Sequence, residues 1–103
     1  MDPEEAVKKV REELEKEIDV KEVYLFGSRA KGDFRKFSDY DFAVVSEDFE
    51  NMKFGDRQQI VRPTIRKALG DVALDVATYT PEEFERGKEG FLPEIIIEEG
   101  IKG

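Results

Sequence analysis

A Gly-Ser dipeptide followed by two closely spaced aspartates constrains this chain more than any other feature. The segment reads FGSRAKGDFRKFSDYDF, with Gly27-Ser28 near its start and Asp39-Tyr40-Asp41 near its end, and it lies between two apolar, strand-like runs. A Gly-Ser turn offers backbone N–H groups and a hydroxyl at close range, which suits a phosphate group. Two aspartates at positions i and i+2 of a strand point to the same face, which suits divalent metal ions. Together the two features indicate an enzyme that uses a nucleotide.

The length and net charge of the chain limit the number of domains it can form and the kinds of partner it can bind. With 103 residues, the sequence predicts a single domain over residues 1–103 with one modest core. Charged residues make up 41% of the chain and the net charge is −8, so a nucleic acid would meet net repulsion. We therefore expect no direct nucleic-acid partner and consider a basic protein more plausible.

Two absent residue types restrict the chemistry. The chain has no cysteine and no histidine, which excludes disulfides, thiol nucleophiles, zinc-thiolate sites and the usual Ser-His-Asp triad. Any general acid–base catalysis must therefore use Asp, Glu, Lys or Tyr. No apolar run approaches the length of a membrane span and the N-terminus does not resemble a signal peptide, so the sequence predicts a cytoplasmic protein without a membrane partner.

The first half of the chain alternates helix and strand. Asp2 is a predicted N-cap for a helix over residues 3–17, whose apolar positions recur at helical spacing. A strand over 20–26 leads into the Gly-Ser turn, and a short helical turn over 28–31 and a loop over 32–38 follow. Asp39 to Val45 is predicted to form the second strand.

The second half continues the alternation. A capping box from Asp56 to Gln59 predicts a helix that ends at Gly70, although Pro63 sits awkwardly inside it and would kink it or mark its first turn. A strand over 72–79 follows, then a short helix that begins at the Thr80 capping box. A last helix over 91–99 is expected to pack Leu92, Ile95 and Ile96. This order predicts an α/β (α+β) fold with helices packed on a small mixed β-sheet.

The chain does not match three other motifs, which bind phosphate, carry a catalytic nucleophile or bind a metal ion. Asp33 and Phe34 stand where a P-loop requires Lys and Ser/Thr, despite two glycines at the right spacing. A nucleophile elbow needs G-x-S-x-G and a histidine. An EF-hand needs a calcium loop, whereas Asp39 and Asp41 lie in a strand-like run.

A metal-dependent nucleotidyltransferase is the interpretation that remains. Asp39 and Asp41 supply two carboxylates for a two-metal site. Asp75 is the candidate third carboxylate, since an ionised Asp within the apolar run 72–77 is costly unless it is paired or metal-bound. Structural alternatives stay open: a plain strand-to-helix turn for Gly27-Ser28, a strand edge for the Asp pair and an exposed edge-strand charge for Asp75.

The segments FGSRAKGDFRKFSDYDFAVV and LDVATYT resemble the minimal nucleotidyltransferases of the DNA polymerase beta superfamily, whose signature is Gly-Ser, about ten residues, Asp-x-Asp and a later acidic residue. The resemblance extends over nearly the whole chain, including TPEEF and EIIIEEGI. The chain departs from the common pattern at Lys31, which is usually Arg, and at Tyr40 and Phe42, which are usually Ile and Leu. None of these changes removes a ligand, although Lys31 lacks the bidentate fork of Arg.

This resemblance implies the nucleotidyltransferase fold and a role for each motif residue. Gly27 and Ser28 would bind the β- and γ-phosphates of ATP, Asp39 and Asp41 would bind two Mg²⁺ ions, and Asp75 would bind the catalytic metal and orient the acceptor hydroxyl. A basic cluster would neutralise the triphosphate, or else form a solvated loop: Arg29, Lys31, Arg35 and Lys36.

The resemblance also implies a partner, because a chain of this size has little room for an acceptor site. In this family the usual partner is a HEPN-domain toxin, and the transferase acts as an antitoxin that moves AMP from ATP to a tyrosine of the toxin. Two alternatives stay open. One is an antitoxin that masks its partner without catalysis, and the other is a transferase for small molecules such as aminoglycosides, acting as a homo-oligomer.

Overall fold

The computed structural model describes residues 2–31, 39–87 and 92–103. In these ranges the chain forms, in order, α1 (Pro3–Leu14), β1 (Val20–Phe26), α2 (Ser28–Lys31), β2 (Tyr40–Ser46), a 3-10 helix (Glu47–Phe49), α3 (Phe54–Leu69), β3 (Leu74–Tyr79), α4 (Pro81–Gly87), α5 (Leu92–Glu99) and β4 (Ile101–Lys102). The predicted α/β class is confirmed. The predicted loop over 32–38 lies outside the described residues.

The four strands form one mixed sheet in the order β3-β2-β1-β4. β1 is antiparallel to both β2 and β4, while β2 and β3 are parallel. A parallel pair requires a crossover connection, and α3 supplies most of it. Since β2 and β3 run in the same direction, their first residues meet at the same end of the sheet.

Helices cover both faces of the sheet. The larger core lies under α1 and α3, where the predicted α1 stripe of Val7, Val10 and Leu14 is buried together with Ile18. A smaller cluster lies on the other face, where Phe84 of α4 and Ile96 of α5 cover the middle of the sheet. Strand alternation assigns each residue of β2 and β3 to one of these two faces.

Side chains of α3 cover the exposed edge of β3. Three of them donate hydrogen bonds to alternate carbonyl oxygens of that strand: Arg62 to Leu74 at 3.0 Å, Gln58 to Val76 at 2.9 Å and Arg57 to Thr78 at 3.5 Å. An uncovered edge strand offers such groups to a second chain. The α3 side chains therefore oppose extension of the sheet past β3.

The first helix is shorter than predicted. Asp2 caps it as expected, since its Oδ1 accepts a hydrogen bond from the Glu5 N–H at 2.9 Å, but regular helix ends at Leu14 rather than at residue 17. The Glu17 N–H bonds to the Leu14 carbonyl only three residues back, at 2.9 Å. This tighter turn satisfies the last carbonyls and ends the α-helix.

The start of α3 was predicted wrongly. The helix begins at Phe54, and its N-cap is Lys53, which makes no side-chain capping bond; the expected capping box at Asp56 already lies within the helix. Pro63 is also inside the helix. It is tolerated on the solvent face, where water can reach the Gln59 carbonyl that loses its N–H partner.

In the last third of the chain, the predicted helix cap at Thr80 is confirmed, but the burial predicted for the final helix is partly wrong. Thr80 and Glu83 form the reciprocal capping box predicted for α4, with distances of 2.8 and 3.1 Å. In α5, Ile96 is buried as expected, but Leu92 is 42% exposed. β4 was not predicted; its two residues are held by pairing with Tyr24 and Leu25 of β1.

Candidate active site

Two of the three predicted catalytic aspartates lie side by side on neighbouring strands. Asp41 pairs with Asp75 in the parallel register of β2 and β3, and Phe26 of β1 pairs with Asp41 on the other side. Residues in register on adjacent strands share a face and lie about 5 Å apart. The row formed by Phe26, Asp41 and Asp75 therefore places two carboxylates on the α4/α5 face at one end of the sheet.

Gly27 follows Phe26 of this row, and its backbone packs closely against the side chain of Asp41. It has a φ of +76°, which glycine adopts without the steric cost that other residues pay. A Cβ at this position would overlap the Asp41 carboxylate, coming closer to Oδ2 than 3.0 Å and to Cγ at 3.2 Å. Only glycine allows both the turn and the close approach of the carboxylate to the backbone.

The site accumulates negative charge. Burial raises the pKa of the half-buried Asp41 carboxyl, and the nearby charges of Asp75 and then Asp39 raise this pKa further. Asp39 and Asp75 are themselves exposed. A cation or a proton would relieve this repulsion.

The carboxylates do not form a complete metal cage by themselves. Across residues 2–31, 39–87 and 92–103, no group of three acidic side chains is placed to hold a metal ion. Magnesium in nucleotide enzymes is commonly bound by one or two carboxylates, with substrate phosphates and water completing its shell. Two adjacent carboxylates suit that mode of binding.

Ser28 and two of the predicted basic residues lie on α2, directly after Gly27. Ser28 is half-buried. The Arg29 guanidinium lies over the Tyr40 ring, 4.2 Å from its centroid, whereas Lys31 forms an ion pair with Glu99 of α5 at 3.5 Å. Arg35 and Lys36, the other two predicted phosphate ligands, lie outside the described residues.

Sequence reasoning missed three neighbours of this site. Phe26 precedes the Gly-Ser turn and gave no signal beyond its place in a strand. The departure of Tyr40 from the usual aliphatic residue was a signal, because an aromatic ring can stack on arginine. Glu99 could not have been found, since only the folded chain brings α5 next to α2.

A cavity of about 380 Å³ lies away from this site, at the opposite ends of β2 and β3, and contains none of the predicted site residues. Its wall includes Arg57, which donates to Glu83 at 2.8 Å and lowers the pKa of that carboxyl. This ion pair joins α3 to α4. Two of the charged residues that line the cavity therefore have a structural role.

The fold and the row of carboxylates are typical of the nucleotidyltransferase class, and comparison with known proteins agrees. The chain belongs to the nucleotidyltransferase domain family, whose model matches residues 7–102. Members of this family generally use a nucleoside triphosphate and a divalent metal ion. No sequence among the curated proteins matches the chain.

Several solved structures resemble the chain. A Sulfolobus solfataricus protein assigned as a nucleotidyltransferase is 30% identical, with a TM-score of 0.61 over 82% of this chain and 72% of that one. A protein assigned as a minimal nucleotidyltransferase is 28% identical, with a TM-score of 0.65 over 98% and 95% of the two chains. A toxin–antitoxin structure with AMP-PNP has a TM-score of 0.66 over 92% and 69%; at 21% identity this indicates the fold alone. In the described part of the chain, no helix is long and apolar enough to cross a membrane.

Proposed function

We propose that this chain is a Mg²⁺-dependent nucleotidyltransferase that moves AMP from ATP to a hydroxyl group of a partner protein. The observation that carries the proposal is the register of Asp41 and Asp75 beside the Gly27 turn. It combines carboxylates for a cation with a backbone turn that can approach phosphates closely.

Magnesium fits this group of residues. The donors are hard carboxylate oxygens. Burial, and then the charges of Asp75 and Asp39, raise the pKa of Asp41, so a cation beside this carboxyl would favour its ionised form. Asp39 and Asp41 would hold both ions, and Asp75 would hold the ion nearer the acceptor. When bound, these ions would neutralise charge on the triphosphate and on the departing pyrophosphate.

The residues of the chain bind and orient the reactants in this proposal. Gly27 and Ser28 contact the β- and γ-phosphates, with Arg29, Lys31, Arg35 and Lys36 as the surrounding positive charge. Asp75 orients the acceptor hydroxyl and takes its proton, because no histidine is present to serve as base. The acceptor oxygen forms a bond to the α-phosphorus of ATP, the bond from that phosphorus to the bridging oxygen of the β-phosphate breaks, and pyrophosphate leaves.

A tyrosine of a HEPN-domain toxin is the proposed acceptor, which makes the chain a cytoplasmic antitoxin. The likeness to a toxin–antitoxin structure supports this partner. The net charge of −8 favours a basic partner, such as a protein that binds RNA.

A transfer assay tests the proposal. The chain is incubated with a purified HEPN-domain protein, MgCl₂ and ATP labelled at the α-phosphate, and parallel samples carry Asp41→Asn or EDTA. We expect labelled HEPN protein only with the unmodified chain and magnesium, and mass spectrometry should locate AMP on tyrosine. A chain that suppresses the toxin without transferring label, and whose Asp41→Asn variant suppresses it equally, would replace this proposal with masking.

Nucleotide binding is tested separately by thermal unfolding. A nucleotide at 100 times its Kd should stabilise the chain by about 2.7 kcal/mol, and Asp39→Asn/Asp41→Asn should remove this shift. A shift that does not need magnesium, or that survives in the double variant, would contradict the assigned metal ligands.

A further inference from the structure

The short helix α2 carries Ser28 but has no buried residue of its own. Its one apolar side chain, Ala30, is only partly buried against the larger core, so apolar packing holds α2 less firmly than it holds a helix with a buried face. Backbone hydrogen bonds from Ala30 and Lys31 to the Gly27 carbonyl, at 3.2 and 3.4 Å, close its single turn. A further side-chain contact would help to set its position relative to the sheet.

A stack that begins in the core supplies such a contact. Phe42 is fully buried, and its ring lies nearly parallel to that of Tyr40, at 10° with 6.0 Å between centroids. The Arg29 guanidinium lies over the next ring, with its Cζ 4.2 Å from the Tyr40 centroid and its Nη1 3.4 Å from the Tyr40 hydroxyl. Phe42, Tyr40 and Arg29 thus connect the core to α2.

The stack lies on the opposite face of β2 from the catalytic carboxylate. Tyr40 packs against the larger core under α1 and α3, and strand alternation turns the neighbouring Asp41 to the other face. The backbone of Tyr40 also joins the two carboxylate strands, because its N–H donates to the Ala73 carbonyl at 2.9 Å. One residue therefore contacts both α2 and the start of the β2–β3 pair.

The geometry points to Tyr40 as a positioning residue that fixes the Gly27-Ser28 turn relative to Asp41 through its stack on Arg29. This inference rests on the proposed function in assigning Ser28 to phosphate binding, but the ordering of α2 is independent of it. A guanidinium held by its face keeps N–H donors at its edge, whereas an ammonium has no plane to stack. Tyr40 supports the nucleotide site without touching the nucleotide.

Four variants of the full chain separate this role from ordinary packing. Tyr40→Leu removes the ring, Tyr40→Phe keeps the ring and removes the hydroxyl, and Arg29→Lys keeps the charge and removes the plane. Tyr79→Leu is the matched control, because Tyr79 is also a half-buried tyrosine with an aromatic neighbour but lies at the far end of β3.

The readouts are ¹⁵N order parameters of residues 28–31 and calorimetric binding of AMP-PNP with Mg²⁺. We expect Tyr40→Leu and Arg29→Lys to lower the order parameters from about 0.85 towards 0.6 and to weaken AMP-PNP binding roughly two- to fivefold. Tyr40→Phe and Tyr79→Leu should change neither quantity.

Unchanged order parameters in both Tyr40→Leu and Arg29→Lys would overturn the inference, as would an equal loss of order in Tyr79→Leu. Arg29→Lys changes a half-buried residue outside the core, so it decides the question even if Tyr40→Leu does not fold. If the unmodified chain binds no AMP-PNP, the proposed function fails, and the order parameters still decide whether Tyr40 positions α2.

Discussion

Replacement of Gly27 by alanine should disable the site through a single methyl group. Alanine at a φ of +76° costs about 1–2 kcal/mol because its Cβ crowds the following carbonyl. The same Cβ overlaps the Asp41 carboxylate, so Oδ2 must move by on the order of 1 Å to restore van der Waals contact. Displacements of that size can reduce catalysis about 100-fold.

Gly70→Ala is the matched control for this substitution. Gly70 also has a positive φ, of +89°, but a Cβ there would meet no atom within 4 Å. Its backbone region is one that only glycine occupies readily, so alanine should cost about 1–3 kcal/mol. Both variants should then unfold several degrees below the unmodified chain, at about 4–8 °C per kcal/mol.

Two measurements on each variant distinguish strain from loss of the site. Thermal unfolding with and without Mg²⁺-ATP should show ligand stabilisation in Gly70→Ala and little or none in Gly27→Ala. NMR titration should show that the pKa of Asp41 changes only in Gly27→Ala, because only there is the carboxylate displaced. If Gly27→Ala keeps the full ligand shift and an unchanged Asp41 titration, the contact between the turn and the carboxylate does not matter as we infer.

Three further substitutions test charge and edge protection. The pKa of Asp41 is raised by folding, so the free energy of unfolding falls as pH rises from the unfolded to the folded pKa of this carboxyl. Asp75→Asn should lower that pKa in an NMR titration and stabilise the nucleotide-free chain at neutral pH by up to about 1 kcal/mol. An unmoved pKa would refute the coupling between the two carboxylates. The pKa of Glu83 is lowered by folding, so its ion pair with Arg57 stabilises the fold above the unfolded pKa of Glu83, and this stability is lost as pH falls through the folded pKa. Glu83→Gln should lower the free energy of unfolding by about 0.5–1 kcal/mol at neutral pH, a small value because the side chain is 40% exposed. In urea unfolding, the variant and the unmodified chain should be equally stable below the folded pKa. Gln58→Ala uncovers a carbonyl of β3 and should promote concentration-dependent association in sedimentation experiments, while Gln59→Ala, an exposed neighbour on the same helix, should not; equal behaviour of the two would contradict edge protection.

Local features of the fold were predictable where a residue type has one conformational use. Asp2 and Thr80 were recognised as helix caps because their side chains can accept bonds from backbone N–H groups three residues later. β1 was predicted with its observed bounds, since a run rich in strand-forming residues ends at Gly27. Errors came where context overrides local preference, as in the uncapped start of α3 and the exposure of Leu92.

The amino-acid sequence shows which chemical groups are available at the site: a glycine turn, the motif aspartates Asp39, Asp41 and Asp75, and no histidine or cysteine. It also determined the helical and strand periods, which are local properties of the chain. These were sufficient to predict the α/β class and to recognise the nucleotidyltransferase family.

The way in which these groups meet depends on the tertiary structure. The parallel register brings Asp75 beside Asp41 across more than thirty residues of chain, and the folded helices bring Glu99 to Lys31 and Tyr40 under Arg29. The two-residue strand β4 exists only because β1 offers it a free edge. Such contacts depend on strand order and helix placement, which arise from the packing of the whole core, and no local pattern encodes them.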